Sequence, residues 1–228
     1  MASSLSTLLF CTSYMDEESW WLGRYRPWVD YYRTLPLQCD ATFILDDSSP
    51  YVPDDHRLVV LDELSSKVDP EKVNLYRFAE HIGNDRRNRH RGWWRSFLFS
   101  LHVARHYGLR KIVHVESDAY LISPRVVDYL SKLDSGWTAL WCPTYQMPEA
   151  QIQVIVEDQF SAMQRFVDMG FHEASRTMPE KSLPFTHIER GFYGDRYGEF
   201  RSRIPRTADY ACQVIHASTK APKYGGPA

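Results

Sequence analysis

The chain has 228 residues, 43% of them apolar, which is enough to bury a sizeable core in one domain spanning 1–228. A formal net charge of −2 excludes a general attraction to nucleic acid or anionic lipid, so any anion must be held by a local group of residues. No apolar run reaches the roughly 20 residues that span a bilayer, no signal-like stretch is visible, and Cys11, Cys39, Cys142 and Cys212 lack C-x-x-C spacing. A cytoplasmic protein with reduced, mostly buried thiols is therefore expected.

In chain order, Ser6 to Cys11 reads as a buried strand, and Thr12, Ser13 and Tyr14 form its polar exit. Met15 to Leu35 has an acidic start and an apolar stripe of Trp20, Trp21, Tyr25, Trp28, Val29 and Tyr32, the pattern of a helix that Pro27 kinks. Asp40 to Leu45 is a second strand ending at Asp46 and Asp47, and Arg57 to Leu61 is a third. From Asp62 to Arg91 only a weak helical pattern shows, around Val73 to Phe78. The basic cluster from Asp85 to Arg91 reads either as a solvated loop or as a basic lip near a phosphate.

The clearest helix follows Gly92, with Trp94, Phe97, Leu98, Leu101 and Ala104 at helical spacing and Gly108 closing its end. A strand ending at Val115 runs directly into Glu116-Ser117-Asp118. Ser123 and Pro124 then start a helix that buries Val126, Val127, Leu130 and Leu133. Trp137 to Cys142 is a further strand, whereas Ile152 to Val156 is either a strand or the start of a helix running to Gly170. Phe171 to Leu183 reads as loop, and a polar stretch after it gathers Glu189, Arg190, Asp195 and Arg196. Cys212 to Ile215 forms a last strand ending at His216, Lys220 follows, and residues 221–228 are a flexible tail.

This order predicts an α/β fold with a mixed, mostly parallel central sheet and helices on both faces. Two carboxylates directly after a buried strand repel each other unless a cation or hydrogen-bond donors compensate them, and their oxygens suit Mn²⁺ or Mg²⁺. Sugar-handling clefts also use aromatic faces, to which the 14% aromatic content is suited.

The segment WWRSFLFSLHVARHYGLRKIVHV and the E-S-D-A-Y-L after it resemble the GT-A glycosyltransferases, with Glu116 standing where that family carries the first Asp of its D-x-D motif. VIHASTKAPKY resembles, without the glycine, the H-x-x-G-x-x-K-P segment of glycogenin-like members. The resemblance implies a single GT-A, Rossmann-like domain, with a nucleotide-sugar half at 1–135 and an acceptor half at 136–220. It implies a metal held by Glu116, Asp118 and His216, with Glu116 also near the ribose and Lys220 on the diphosphate. Thr12, Ser13, Tyr14, Asp46 or Asp47, and Arg95 would take the base and ribose of the donor.

The function so implied is metal-dependent transfer of a sugar from a UDP- or GDP-linked donor to a saccharide or glycoconjugate acceptor. Inversion requires a carboxylate to deprotonate the acceptor hydroxyl, for which Glu189 and Asp195 are the candidates; in a retaining enzyme they would stabilise the oxocarbenium-like state. Two other readings stay open: a non-catalytic carbohydrate- or nucleotide-binding domain of a larger assembly, and a nucleotidyltransferase of similar fold. The acidic CTSYMDEESW segment counts against the latter, which usually has a Gly-rich basic loop there.

Overall fold

Side-chain alternation along the first strand, β1 (Thr7–Ser13), sets the layers of the computed structural model, which describes residues 6–83, 90–214 and 224. Leu9 and Cys11 face one core and Leu8 and Phe10 the other. After β1 come α1 (Glu18–Trp20), a π-helical turn (Trp21–Tyr25) and α2 (Arg26–Thr34). Pro27 lacks the N–H that would bond back one α-turn, and the predicted kink is realised as the π turn just before it.

β2 (Ala41–Asp46), β3 (Leu58–Leu61) and β4 (Val73–Arg77) add to one side of β1, giving the parallel order β3-β4-β2-β1. The weak helical pattern at Val73–Phe78 is thus a strand. Val73 and Leu75 are buried and Asn74 Nδ2 donates to the Thr42 carbonyl at 3.2 Å, so pairing between two strands overrides local propensity. The chain returns through α3 (Arg91–His106) to β5 (Lys111–Val115), which pairs parallel with the opposite side of β1. Gly108, at φ 64°, takes the left-handed conformation that closes α3.

Beyond β5 lie β6 (Tyr120–Leu121), α4 (Pro124–Lys132), β7 (Trp137–Cys142) and β8 (Met147–Val156). Ser123 caps α4 by accepting the Val126 N–H, as its position before Pro124 predicts. The stretch from Ile152 to Gly170 resolves into both alternatives: β8, then α5 (Phe160–Met169). The segment expected to be loop contains the short helices α6 (Phe171–Ala174) and α7 (Pro179–Ser182). β9 (His187–Glu189) completes an eight-stranded sheet of order β3-β4-β2-β1-β5-β8-β7-β9.

A small second sheet joins β10 (Gly194–Asp195), β11 (Tyr210–Ala211) and β6. The last predicted strand is therefore shorter and earlier than expected. Past Ala211, the Cys212 and Val214 N–H groups donate singly to the Asp195 and Asp118 carbonyls, and Ile215 and His216 lie outside the described residues.

The layering is Rossmann-like: α2 and α4 cover one face of the large sheet, α3 and α5 the other. Cys11, Cys142 and Cys212 are buried thiols and Cys39 is half-buried. Among the described residues, no helix is long and apolar enough to cross a membrane. Because the chain leaves β1 toward β2 and comes back on its other side at β5, a crevice opens at the carboxyl ends of β1 and β5, the position where such sheets bind ligands.

Candidate functional site

Glu116 follows β5 at this crevice and is only 4% exposed. One carboxylate oxygen accepts hydrogen bonds from Thr12 Oγ1 (2.9 Å), Trp93 Nε1 (2.6 Å) and His114 Nε2 (2.8 Å), while the other accepts from Thr12 at 3.0 Å. Behind it runs a buried polar chain. Trp137 Nε1 donates to Gln153 Oε1 at 2.7 Å, and Gln153 Nε2 donates to His114 Nδ1 at 3.3 Å, which leaves the imidazole proton on Nε2 facing Glu116. Burial raises the Glu116 pKa, but the His114 hydrogen bond, the Arg24 charge and the Thr12 hydrogen bond outweigh it and hold the carboxyl below its ordinary range. Glu116 is therefore an ionised group braced by donors from β1, α3 and β5.

Asp118, 2% exposed, meets a different environment. Its Oδ2 lies 3.2 Å from Arg24 Nη2, and its Oδ1 accepts from Gln151 Nε2 at 3.2 Å. Burial pushes its pKa up; Arg24 pulls it down and Glu116 adds to the rise, leaving it above its ordinary value. Arg24, from the π turn, also donates from Nε to Ser117 Oγ at 2.6 Å.

Between these walls is a cavity of about 350 Å³, lined by residues from the ends of β1 and β2, the π turn and the first turns of α3. Tyr14 and His81 stack there with ring centroids 4.1 Å apart. Asp47 lines the cavity, but its carboxylate accepts from the Gly83 N–H at 2.8 Å and pairs with Arg95 and His81, so it organises the rim. Gly92 makes this possible: a Cβ there would lie 2.3 Å from Asp47 Oδ2. Ser13 Oγ donates to the fully buried Asp46, which also accepts from Ser49 and ends the strand as a structural turn.

The residues predicted from the sequence separate into three groups. Thr12, Ser13, Tyr14 and Asp47 line the cavity, and Glu116 and Asp118 meet its walls through Thr12, Trp93 and Arg24. Arg95 does not line it: it pairs with Asp47, lies over the Phe78 ring at 3.9 Å and borders a separate, mainly apolar hollow beside α5 and α6. His216, Lys220 and most of the basic cluster, residues 85–89, fall outside the described residues.

Glu189 and Asp195 do not line the cavity either. Glu189 accepts the Gly191 N–H at 2.6 Å and lies 3.2 Å from His187 Nε2. Asp195 accepts from Thr144 Oγ1 at 2.6 Å and from Cys142 Sγ at 3.3 Å. Their sequence neighbours are engaged elsewhere, Arg190 over the Trp141 ring at 3.3 Å and Arg196 between Glu149 and Glu180.

Sequence reasoning missed Arg24, His81, Trp93, His114 and Gln151. The stripe Trp21, Tyr25, Trp28 contained a usable signal for Arg24, since a cation beside a buried helix face at the mouth of β1 needs a partner. The other four depend on register and loop path that periodicity does not carry.

Carboxylate and amide oxygens suit a hard divalent cation. Asp118 and Gln151 Oε1 are donors of that kind; the Asp118 oxygens meet Arg24 and Gln151 Nε2, the Glu116 oxygens meet Thr12, Trp93 and His114, and of this set the buried Gln151 Oε1 is the oxygen without a protein partner among the described residues. Among the described residues no three His, Cys, Asp or Glu side chains form a metal-binding cluster.

No protein-family model matches the chain, and no curated protein does. A solved structure described as a glycosyltransferase involved in the glycosylation of the major capsid of PBCV-1 superposes with 8% identity and a TM-score of 0.49, covering 92% of this chain and 94% of that one. A likeness at that level fixes neither substrate nor chemistry.

Proposed function

We propose that the protein is a glycosyltransferase of the GT-A type that moves a sugar from a UDP- or GDP-linked donor to a saccharide or glycoconjugate acceptor. The observation that carries this reading is the cavity at the β1/β5 crevice. It combines the stacked Tyr14–His81 pair, suited to a nucleobase, with Arg24 and the adjoining Asp118, suited to a phosphate site.

In this reading Asp118 would anchor a Mn²⁺ or Mg²⁺ ion, with the Gln151 side-chain oxygen beside it, and from outside the described residues His216 would be a further ligand and Lys220 a contact to the diphosphate. When bound, such an ion supplies charge neutralisation for the departing diphosphate. Glu116 acts one step removed, holding Thr12 and Trp93 in the cavity wall. Glu189 and Asp195 are the proposed acceptor-side carboxylates, one of them taking the proton of the acceptor hydroxyl.

A thermal-shift panel of UDP- and GDP-sugars with and without Mn²⁺ tests the reading. A donor at a hundred times its Kd stabilises the native state by about 2.7 kcal/mol, a readily visible shift. Absence of any shift across the panel would sink the donor assignment. One observation favours a second reading, a non-catalytic nucleotide-binding domain: neither Glu189 nor Asp195 lines the cavity. Donor binding without hydrolysis under any divalent metal would select it.

A further inference from the structure

Arg24 is set as a ligand-binding cation would be. Its Nε is fixed by Ser117 Oγ at 2.6 Å and its Nη2 by Asp118 at 3.2 Å, while Nη1 makes no hydrogen bond among the described residues. The side chain retains 27% exposure, and the residue lines the cavity. Its neighbours in the π turn, Trp21 and Tyr25, are 4% and 3% exposed, so the backbone that carries the guanidinium is locked into the core. Across the cavity are Gly92 and Trp93, in the first turn of the 16-residue α3, whose amino end adds positive potential to the same space.

Resting on the nucleotide-sugar reading above, we propose that Arg24 binds the donor's diphosphate directly, so that recognition of the diphosphate persists without a divalent ion. A planar guanidinium with two donors anchored keeps the remaining edge oriented for phosphate oxygens, and little side-chain entropy is left to lose on binding. Asp118 and Ser117 act as its positioning residues. The ion pair also compensates Asp118 in the unliganded protein.

The test compares UDP with uridine, and GDP with guanosine, by calorimetry on the full chain in EDTA. For the wild type, the nucleoside diphosphate is expected to bind at least about tenfold tighter than its nucleoside, the scale of one charge-assisted contact. Arg24→Gln should bring the two within about twofold while leaving nucleoside affinity in place, and Arg24→Lys should recover part of the gap. Asp118→Asn, which retains Arg24 and removes a negative charge beside it, should keep or widen the gap. If Arg24→Gln does not fold, the Arg24→Gln/Asp118→Asn double variant leaves no bare buried carboxylate and should show the same loss relative to Asp118→Asn alone.

A diphosphate gap that survives loss of Arg24, or one that the wild type shows only with Mn²⁺ present, overturns the role of Arg24 and leaves the donor reading standing. Failure of all four probes to bind, with or without Mn²⁺, removes both.

Discussion

The parallel half of the large sheet and the antiparallel half of the fold, in which β8 and β7 are joined by β9 and the small second sheet, treat their acidic residues in opposite ways. In the parallel half, the residues after β1, β2 and β5 all emerge at one edge, so Asp47, Glu116 and Asp118 surround or adjoin a single cavity. In the antiparallel half the strand ends alternate, and the acids are closed into separate local pairings. The fully buried Glu149 accepts both Nε and Nη2 of Arg196, which also reaches Glu180, and Asp209 takes Arg125 together with the Tyr193 N–H. Parallel strands gather polar turn residues where a ligand can meet several at once. Antiparallel ones spread them.

If that contrast marks the chemistry, the largest effect belongs to Asp118. Asp118→Asn should lower kcat for Mn²⁺-supported donor hydrolysis by about 1000-fold, the upper scale for removing a group that stabilises transition-state charge, while nucleotide binding in EDTA persists. Retention of full turnover would break the assignment of the catalytic edge to the parallel half.

Next in size is the acceptor side. Asp195→Asn and Glu189→Gln should not behave alike: the one that takes the acceptor proton loses about 100-fold in kcat, and the other changes it little. Glu189 has a pKa held down by the Gly191 N–H, a poor setting for a base, while Asp195 sits on the second sheet, two strands from the Tyr120 that follows Asp118. The larger loss is therefore expected at Asp195. Equal, small losses from both would leave the antiparallel half with a purely structural set of acids.

Much of the parallel half was legible in the sequence. Leu8 to Cys11, Phe43 to Leu45 and Ile112 to Val115 are short apolar runs ending in polar turns, and the edge follows once they pair in parallel. Glu116 and Asp118 read alike in sequence, as one acidic motif, yet Thr12, Trp93 and His114 converge on the first and Arg24 on the second. Those partners come from positions 2 to 104 residues away, set by packing and not by spacing. The antiparallel half was less evenly legible: β7 showed as an apolar run, but β9 has three residues and β10 and β11 two each, too few for a period to show.

The unlike settings of the two carboxylates predict unlike stability effects. Glu116→Gln places an amide N–H₂ among three donors and should cost about 3 kcal/mol, near the top of the range for a disrupted buried hydrogen-bonded group. At about 2–4 °C per kcal/mol for a domain of this size, the melting temperature should fall by about 6–12 °C. The folded pKa of Glu116 lies below its unfolded value near 4.5, so its contribution is present above that pH and is lost as pH falls through the folded pKa. Glu116→Gln should therefore flatten the acid limb of the stability profile. Asp118 has the reverse sign: its raised pKa means that ionisation on folding costs stability as pH rises from about 3.8 through the folded value, and Asp118→Asn should spare the melting temperature at neutral pH. If the two substitutions lowered it equally, the distinction between braced Glu116 and exchangeable Asp118 would be lost.

The smallest effect probes the cavity rim. Gly92→Ala would bring a Cβ to 2.3 Å from Asp47 Oδ2 and 2.7 Å from its Cγ. Asp47 cannot swing aside freely, because Gly83, His81 and Arg95 all hold its carboxylate. Overpacking of this kind costs about 1–3 kcal/mol, and the lower end is expected here because Gly92 lies at the edge of α3, where a small shift can relieve part of the contact. The interaction is isolated by a double-mutant cycle with Asp47→Ala. In that background the clashing carboxylate is gone, so Gly92→Ala should become nearly neutral, with a coupling close to the cost of the single substitution. A full penalty for Gly92→Ala without the Asp47 carboxylate would mean that the helix start, and not the Asp47 rim, requires glycine.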